Sequence, residues 1–317
     1  MKLIEYIDNA KDTLFSFEIL PPLKGGSIEA LFDRISPLME LNPSFIDVTY
    51  HREEYVLRKR QDGSYNKISL RKRPGTVAIC AAIMNRFKVE AVPHLICGGF
   101  TRDETENALI DLNFLGIDNV LALRGDNQHG ERNFIAEEGG NKNAIELIQQ
   151  MVNMNNGIYL DEELRNPNPT NFCIGGAGYP EKHIDAPNPT SDLNFLKRKV
   201  EAGCSFITTQ MFFDNTKYFA YVEACRAEGI NIPIIPGIKP LTRKSQLFNL
   251  PKIFNIDIPE DLAKAMDATK TDEAAEQVGK EWCIAQCMEL KKHGAPVLHF
   301  YTMGHSRIIK QIATKVF

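Results

Sequence analysis

Residues 15–22 read Phe-Ser-Phe-Glu-Ile-Leu-Pro-Pro, an apolar, strand-like run that the double proline must end. An open, doubly wound α/β sheet usually carries a glycine-rich phosphate turn after its first strand. Here that position holds Pro21 and Pro22, and neither GxGxxG nor GxxxxGK[ST] occurs in the chain. The stretch therefore favours another α/β architecture, in which loops at the strand ends would hold any nucleotide.

Apolar, β-rich runs alternate with amphipathic helical patterns along the whole chain. The predicted helices include Thr76–Phe87, Glu104–Leu115, Asp192–Ala202 and Asp272–His293. The eight predicted strands are Thr13–Leu20, Phe45–Tyr50, Glu90–Cys97, Asn119–Arg124, Asn171–Ala177, Phe206–Met211, Ile232–Ile238 and Val297–Tyr301. Eight β-then-α units without an obvious linker predict an α/β protein with one (β/α)8 TIM barrel over residues 1–317. The open doubly wound sheet is the second choice.

Composition narrows the class of protein. The chain has 317 residues, 43% hydrophobic and 25% charged, with a net charge of −4, which argues against a broad nucleic-acid surface. No run approaches the roughly 18 apolar residues of a membrane span, and no signal-like apolar region follows Met1, so we expect a cytoplasmic protein without a membrane partner. The seven cysteines are dispersed without CxxC spacing, which predicts reduced, mostly buried thiols and no metal site.

Three long segments have loop-like composition. Residues 51–75 carry eight Lys/Arg against three acids, which suits a solvated loop or an electrostatic collar for phosphates or carboxylates. Residues 125–140 are glycine-rich and polar and suit a lid or ligand loop, whereas residues 153–170 suit a surface excursion.

Glu18 is the most informative single residue, because it ends an apolar strand just before the prolines. Burial would raise the pKa of this carboxyl and keep it protonated, as a general acid requires. The alternative is a strand-end glutamate that faces solvent.

Every predicted strand carries polar groups near the same end, where barrels of this type place their active sites. Convergence of eight such ends predicts a catalytic mouth. Its members are Glu18, Thr49, Tyr50, His51, His94, Arg124, Gly125, Asp126, Tyr179, Glu181, His183, Gln210, Gly237, Lys239, Tyr301 and Thr302.

The chemistry of these groups leaves two readings open. An acid beside a second carboxylate could suggest glycoside hydrolysis, but the one tryptophan, Trp282, falls in a predicted helix far from any strand end. The run Lys197–Lys199 suits a diphosphate, or else a solvated helix face.

The strings FSFEILPP, DVTY, PHLICGG, LALRGD, GAGYPEKH, LKRKVEAG, ITTQMFFD, IIPGIKP and HFYTM occur in this order. As a set they resemble the motifs of the methylenetetrahydrofolate reductase family, from about Thr13 to about Arg307. The resemblance implies a bacterial, catalytic-domain-only type: an FAD-containing barrel, working as a homo-oligomer. It implies a ping-pong reaction in which NADH or NADPH reduces FAD, which then reduces 5,10-methylenetetrahydrofolate to 5-methyltetrahydrofolate.

The resemblance also implies residue roles. Glu18 matches the catalytic acid, and Asp126 matches the aspartate near flavin and pterin. Gln210, Tyr301, Met303, His305 and Arg307 match the folate side. The positions that match flavin contacts are Thr49, His94, Leu123, Arg124, Gly125, Asp126, Ala177, Tyr179, His183, Asp192, Arg198 and Lys199.

The chain departs from the family pattern at several positions. Phe195 stands where the family has asparagine, Met303-Gly304-His305 replaces a hydrophobe-Asn-Arg run, and Phe134 is the candidate aromatic contact after Asp126. Two other functions remain: a proline-dehydrogenase-like flavin barrel and a non-enzymatic folate-binding barrel.

Overall fold

A computed structural model of the chain describes residues 1–70, 72–127, 131 and 133–317. The strands are β1 (Leu14–Ile19), β2 (Phe45–Val48), β3 (Glu54–Lys59), β4 (Tyr65–Leu70), β5 (Glu90–Ile96), β6 (Asn119–Leu123), β7 (Cys173–Gly178), β8 (Phe206–Met211), β9 (Ile234–Ile238) and β10 (Val297–Tyr301). The helices are α1 (Leu3–Asn9), α2 (Ile28–Met39), α3 (Thr76–Phe87), α4 (Arg102–Phe114), α5 (Ala144–Asn155), α6 (Pro189–Glu201), α7 (Asn215–Ala227), α8 (Gln246–Phe254), α9 (Glu260–Asp267), α10 (Asp272–Lys292) and α11 (Ser306–Val316).

Eight parallel strands close into a barrel in the order β1-β10-β9-β8-β7-β6-β5-β2. The predicted (β/α)8 barrel is therefore confirmed, and all eight predicted strands form within three residues of their expected bounds. Closure removes both sheet edges, which the open doubly wound alternative would have kept.

Several helices begin at a residue whose side chain accepts from the free N–H groups of the first turn. Thr101 and Glu104 form a capping box at α4, the side chain of Asn143 caps α5, and Asn188 caps α6 just before Pro189. Because all eight barrel strands are parallel, the βα loops that lead to these helices lie on one face of the barrel.

Side chains that alternate along the strands fill the barrel in three layers. The layer nearest the strand starts is apolar: Phe45, Val92, Leu121, Cys173, Phe206, Ile235 and Val297 pack there with Leu3 of α1. Two residues further along, the alternation gives a polar layer: Ser16, Asp47, His94, Thr208 and His299, all buried. The third layer, at the strand ends, contains Glu18, Thr49, Gln210, Lys239 and Tyr301.

The basic segment 51–75 was expected to be a loop, and this prediction was wrong. Most of it forms the antiparallel hairpin β3–β4, a separate two-stranded sheet with Tyr55, Leu57 and Tyr65 exposed. Its turn is built by Asp62, whose carboxylate accepts from the N–H and hydroxyl of Ser64, and by Gly63 at φ +86°. Arg71, which the basic count included, lies outside the described residues.

Within segment 125–140, residues 128–130 and 132 lie outside the described residues; of the remainder, Glu137 forms an ion pair with Arg52.

Trp282 is not far from a strand end, because its indole N–H donates to the carbonyl of Phe213, two residues after β8 (3.0 Å).

Candidate active site

Glu18 lies near the end of β1 in the barrel mouth, and its side chain is only 16% exposed. The hydroxyl of Thr49, just beyond β2, donates to its Oε1 at 2.8 Å. Burial raises the pKa of Glu18, while the charge of His94 and the Thr49 hydrogen bond act in the opposite direction without cancelling it. The solvent-facing alternative is thus excluded, and the carboxyl has the environment of a proton donor.

His94 of β5 lies between two carboxyl groups. Its Nε2 is 3.2 Å from Oδ2 of Asp47 and 3.7 Å from Oε2 of Glu18. Burial acts to lower the pKa of His94, but the hydrogen bond to Asp47 and the charges of Glu18 and Asp47 raise it overall. His94 is therefore a packed, hydrogen-bonded histidine inside the barrel.

Three polar residues beneath the mouth were missed from the sequence: Ser16, Asp47 and His299. The hydroxyl of Ser16 bonds to Nδ1 of His299 at 2.8 Å, and Nε2 of His299 is 3.9 Å from Asp47. Each lies two residues before a named strand-end residue (Glu18, Thr49 and Tyr301 respectively) and so shares its face of the strand. Period-two alternation counted back from the strand ends would have found all three.

The β10 side of the mouth is held by backbone contacts. The hydroxyl of Tyr301 donates to the carbonyl of Thr209 at 2.6 Å, and that of Thr302 donates to the carbonyl of Glu18 at 2.7 Å. Gly237 makes room for the tyrosine, since a Cβ at this position would lie 2.6 Å from its hydroxyl and 2.2 Å from the Thr209 carbonyl. Tyr301 therefore has a fixed position next to Glu18, its register partner.

The ends of β6 and β7 and helix α6 bring together most of the residues expected to hold a cofactor. Arg124 pairs with Asp185 at 2.7 Å, the backbone N–H of His183 donates to Asp192 at 2.9 Å, and the rings of Tyr179 and His183 are in edge contact at 4.6 Å. Burial, followed by the charge of Arg124, lowers the pKa of His183.

Lys199 joins this group from α6. It is 5% exposed, and its Nζ donates to the carbonyl of Ala177 at 2.7 Å and lies 5.9 Å from the Tyr179 ring centre. Burial lowers the pKa of Lys199. Among the described residues no carboxylate forms an ion pair with it, so the chemistry of this position fits an anionic ligand group such as a diphosphate.

The other cations of α6, Lys197 and Arg198, do not point toward the ends of β6 and β7, as Lys199 does. Lys197 pairs with Glu228 at 3.2 Å on the outside of the barrel, and Arg198 is exposed, with its guanidinium 5.8 Å from the Phe195 ring. The diphosphate reading of this cationic run therefore applies to Lys199 first.

Four expected site residues lie around the β6 end. Leu123 and Gly125 are half-buried, with Gly125 at φ +86° turning the chain over Ile96. Asp126 follows on the exposed rim, and no hydrogen bond or ion pair joins it to another described residue. The ring of Phe134 lies 5.2 Å from the Arg124 guanidinium, next to this turn.

The expected folate-side residues separate into two groups. Gln210 and Tyr301 are half-buried in the mouth, where Oε1 of Gln210 accepts from the N–H of Met211 at 3.0 Å. Met303 is 40% exposed, and Arg307 is exposed and paired with Glu276 at 2.7 Å.

His305 precedes α11 and is half-buried, near a second buried lysine. Burial, followed by the charges of Lys239 and Arg243, lowers the pKa of His305. Lys239 is 2% exposed, and burial lowers its pKa to about 8.

All seven cysteines are free and buried, as predicted. Within the described ranges, no cluster of three or more His, Cys, Asp or Glu side chains could hold a metal ion. Over the same ranges, no helix has both the length and the apolar character that crossing a membrane requires.

Comparison with protein families gives a match over residues 2–316 to the family described as methylenetetrahydrofolate reductase. The chain is 32% identical to methylenetetrahydrofolate reductase (NADH) 1 of Arabidopsis thaliana, over 96% of this chain and 49% of that protein. It is 30% identical to a probable methylenetetrahydrofolate reductase (NADPH) of Caenorhabditis elegans, over 98% and 43%. The chain thus spans about half the length of these curated relatives. A 5,10-methylenetetrahydrofolate reductase of Pectobacterium carotovorum is 29% identical, over 92% and 86%.

Among solved structures, the barrel is similar to an uncharacterized protein from Clostridium thermocellum that binds two copies of 5-methyl-5,6,7,8-tetrahydrofolic acid. The TM-score is 0.58 at 16% identity, over 99% of this chain and 98% of that one. A 2,3-dimethylmalate lyase matches with a TM-score of 0.51 at 7% identity, over 98% and 82%. At these identities the likeness concerns the fold alone.

Proposed function

Because the chain belongs to the methylenetetrahydrofolate reductase family, we propose that it reduces 5,10-methylenetetrahydrofolate to 5-methyltetrahydrofolate with NADH or NADPH as the electron donor. The observation that carries the proposal is Glu18: a buried carboxyl with a raised pKa at the strand-end mouth, oriented by Thr49. Reductive opening of the substrate's five-membered ring needs a proton at nitrogen, and Glu18 is the group that supplies it.

We propose FAD as the cofactor. When bound, FAD would carry the hydride from NAD(P)H to the folate. Support comes from the group at the ends of β6 and β7, above all from Lys199, a buried cation without a carboxylate partner among the described residues. Lys199 and Arg124 would hold the diphosphate, and Tyr179, His183 and Asp192 would line the same wall.

Asp126 and Gln210 complete the proposed substrate side. The exposed carboxylate of Asp126 would stabilise the cation that forms when the ring opens, an effect that grows as substrate excludes water. The side-chain carbonyl oxygen of Gln210 accepts from the backbone N–H of Met211, so the amide N–H groups of Gln210 are the ones that would donate to the pterin.

The cellular setting is also a proposal. Seven buried, unpaired cysteines suit a reducing compartment, so we place the protein in the cytoplasm. The family resemblance and the exposed face of the β3–β4 hairpin support a homo-oligomer, which sedimentation analysis of the purified protein would test.

The class of reaction can be tested by visible spectroscopy of the purified protein. We expect a yellow protein that NADH bleaches and methylenetetrahydrofolate recolours. A protein bleached only by an imino acid would indicate a proline-dehydrogenase-like enzyme. A colourless protein that binds folate without turnover would indicate a non-enzymatic barrel.

The role of Glu18 can be tested by measuring the two half-reactions separately. Glu18→Gln should slow reoxidation by the folate by about 10²–10⁴-fold and leave reduction by NADH within about twofold. Glu90→Gln is the matched control: this partly buried carboxylate begins β5 at the opposite end of the barrel, paired with the N-terminus. Equal loss in both half-reactions of Glu18→Gln would refute the acid role.

A further inference from the structure

Asp47 is the most deeply buried carboxylate of the barrel interior, with a side chain only 1% exposed. Its Oδ1 has no hydrogen-bond partner among the described residues, and its Oδ2 faces His94 at 3.2 Å. An ionised carboxylate in such a place is unfavourable unless a cation or several hydrogen bonds compensate it. The position therefore requires a positive partner, and His94 is the group that supplies it.

Two carboxyl groups compete for that imidazole. Oδ2 of Asp47 is nearer to Nε2 than Oε2 of Glu18 is, at 3.2 Å against 3.7 Å, and it is the more buried, with 1% of the side chain exposed against 16%. Since Nε2 can carry only one N–H, the nearer and less hydrated carboxylate is its main partner.

The other described side chains next to His94 contribute no charge near neutral pH. The side chains around His94 of β5 come from three neighbouring strands: Ser16 and Glu18 from β1, Asp47 and Thr49 from the β2 side, and His299 and Tyr301 from β10. Burial lowers the pKa of His299 and raises the pKa values of Tyr301 and of Cys80, an α3 thiol near Asp47, which keeps all three neutral. The charge balance therefore depends on Glu18, Asp47 and His94 alone.

These three groups are electrically neutral together when they hold two protons: a neutral Glu18, a cationic His94 and an anionic Asp47. Without the charge of Asp47, two protons would leave a net positive charge in the interior, which burial disfavours. One of these two protons would therefore be lost, and Glu18 and His94 would share the remaining proton. The fraction of Glu18 that can donate a proton would fall.

We infer that Asp47 is a positioning residue for the acid: by holding the imidazole of His94 as its own ion partner, it leaves Glu18 protonated and ready to donate. This inference rests on the proposed reductase function, in which Glu18 supplies the proton. Asp47 itself does not reach the strand-end layer, so it acts through His94.

The test is Asp47→Asn, which keeps the shape and removes the charge. We expect the folate half-reaction to slow by about tenfold at pH 7, with its high-pH limb moved to lower pH and recovery at acid pH. Reduction by NADH should stay within about twofold. Thr208→Val is the matched control, because Thr208 is buried in the same layer and its hydroxyl has no hydrogen-bond partner among the described residues.

A readout on the cofactor-free protein separates this inference from the proposed function. Infrared spectra, with Glu18→Gln to assign the band, should show a protonated Glu18 carboxyl at pH 7 in the wild type and a weaker band in Asp47→Asn. Equal bands, or an equal loss in both half-reactions without a change in pH profile, would mean that Asp47 is only structural. An inactive wild type would overturn the proposed function, while the infrared result would still decide the proton distribution.

A second measurement does not depend on the folding of Asp47→Asn. In Glu18→Gln, NMR should find His94 still cationic at pH 7, because its main partner remains. If His94 is neutral at pH 7 in Glu18→Gln, Glu18 is its main partner and the inference is wrong.

Discussion

Lys239 shows how one buried charge can oppose the stability of the barrel that contains it. It follows β9, is 2% exposed, and forms no ion pair or hydrogen bond from its ammonium group among the described residues. Burial lowers its pKa to about 8. A cation held in this way suits a mouth that receives an anionic substrate, but in the free protein it disfavours the folded state.

Lys239→Met should therefore stabilise the protein by about 2–3 kcal/mol at pH 7, because the cost of the buried charge disappears. The folded pKa lies below the unfolded value, so the gain is complete below about pH 8 and shrinks as the pH rises toward about 10. Urea unfolding of both proteins at pH 7 and pH 9.5 would measure it. Lys197→Met, at a side chain 42% exposed and paired with Glu228, should give no such difference, and an equal gain at both pH values in Lys239→Met would contradict the charge explanation.

Among single residues, the strand-end layer of the site was predicted from the sequence, whereas of the polar layer below it only His94 was. Glu18, Thr49 and Tyr301 stand at strand ends beside turn-forming residues, where polarity is conspicuous. Asp47 and His299 lie within apolar strands, and their partners come from strands far away in the chain. Only the closed barrel brings those strands together, so composition gave no warning of the ion pair.

Helix α6 separates two lysines that are two residues apart in the sequence. Lys199 lies under the ends of β6 and β7, whereas Lys197 pairs with Glu228 at the surface. Lys199→Met should therefore weaken FAD binding by at least about tenfold, since it removes the buried cation proposed for the diphosphate. Fluorescence titration of the apoprotein would measure this, with Lys197→Met as the control. Equal affinities in the two variants would place the diphosphate elsewhere.

The β3–β4 hairpin stands apart from the barrel sheet, and two-stranded sheets alone are marginally stable. It also carries the exposed trypsin sites Arg58, Lys59, Arg60 and Lys67. Limited trypsin digestion should cut first within residues 58–67 and leave a barrel that still unfolds cooperatively, as mass spectrometry and circular dichroism would show. A first cut in α10, which also contains lysines, would contradict this view of the hairpin.

At the element scale, the barrel strands were predictable because each is a buried apolar run bounded by turn residues. The hairpin was not, because its charged strands pair with each other and one face remains in solvent. Its Asp62-Gly63 turn was nevertheless a usable hairpin signal. The outer cations of α6 could not be separated from Lys199 without knowing which helix face meets the barrel.

Considered as a whole, the molecule divides stability and chemistry between the two ends of the barrel. The strand ends carry Glu18 and its neighbours, while α1 closes the opposite end. There Leu3 is 1% exposed in the apolar layer, and its N–H donates to Asn119 at 2.7 Å. The apolar end can therefore be altered without direct contact with the mouth.

Leu3→Ala should lower the free energy of unfolding by about 2–4 kcal/mol, because it leaves a cavity in that layer. Both half-reactions should remain within about twofold at a temperature where the variant is folded. Denaturant unfolding and stopped-flow absorbance would measure the two effects. Leu57→Ala, at a side chain 69% exposed on the hairpin, should change neither. A selective loss of the folate half-reaction in Leu3→Ala would show that the two ends are coupled.

The barrel closes where β1 pairs with β10, and there Ser16 is hydrogen-bonded to His299, which lies 283 positions further along the sequence. During translation the first strand leaves the ribosome long before the last. Asp47 and His94 therefore remain exposed to water, on the side that β10 covers, until the final βα unit has been made. A nascent chain that stops before residue 297 lacks β10, the strand that excludes water from Asp47 and His94 on that side. On the proposed mechanism, proton donation by Glu18 would therefore require β10 to be in place beside β1.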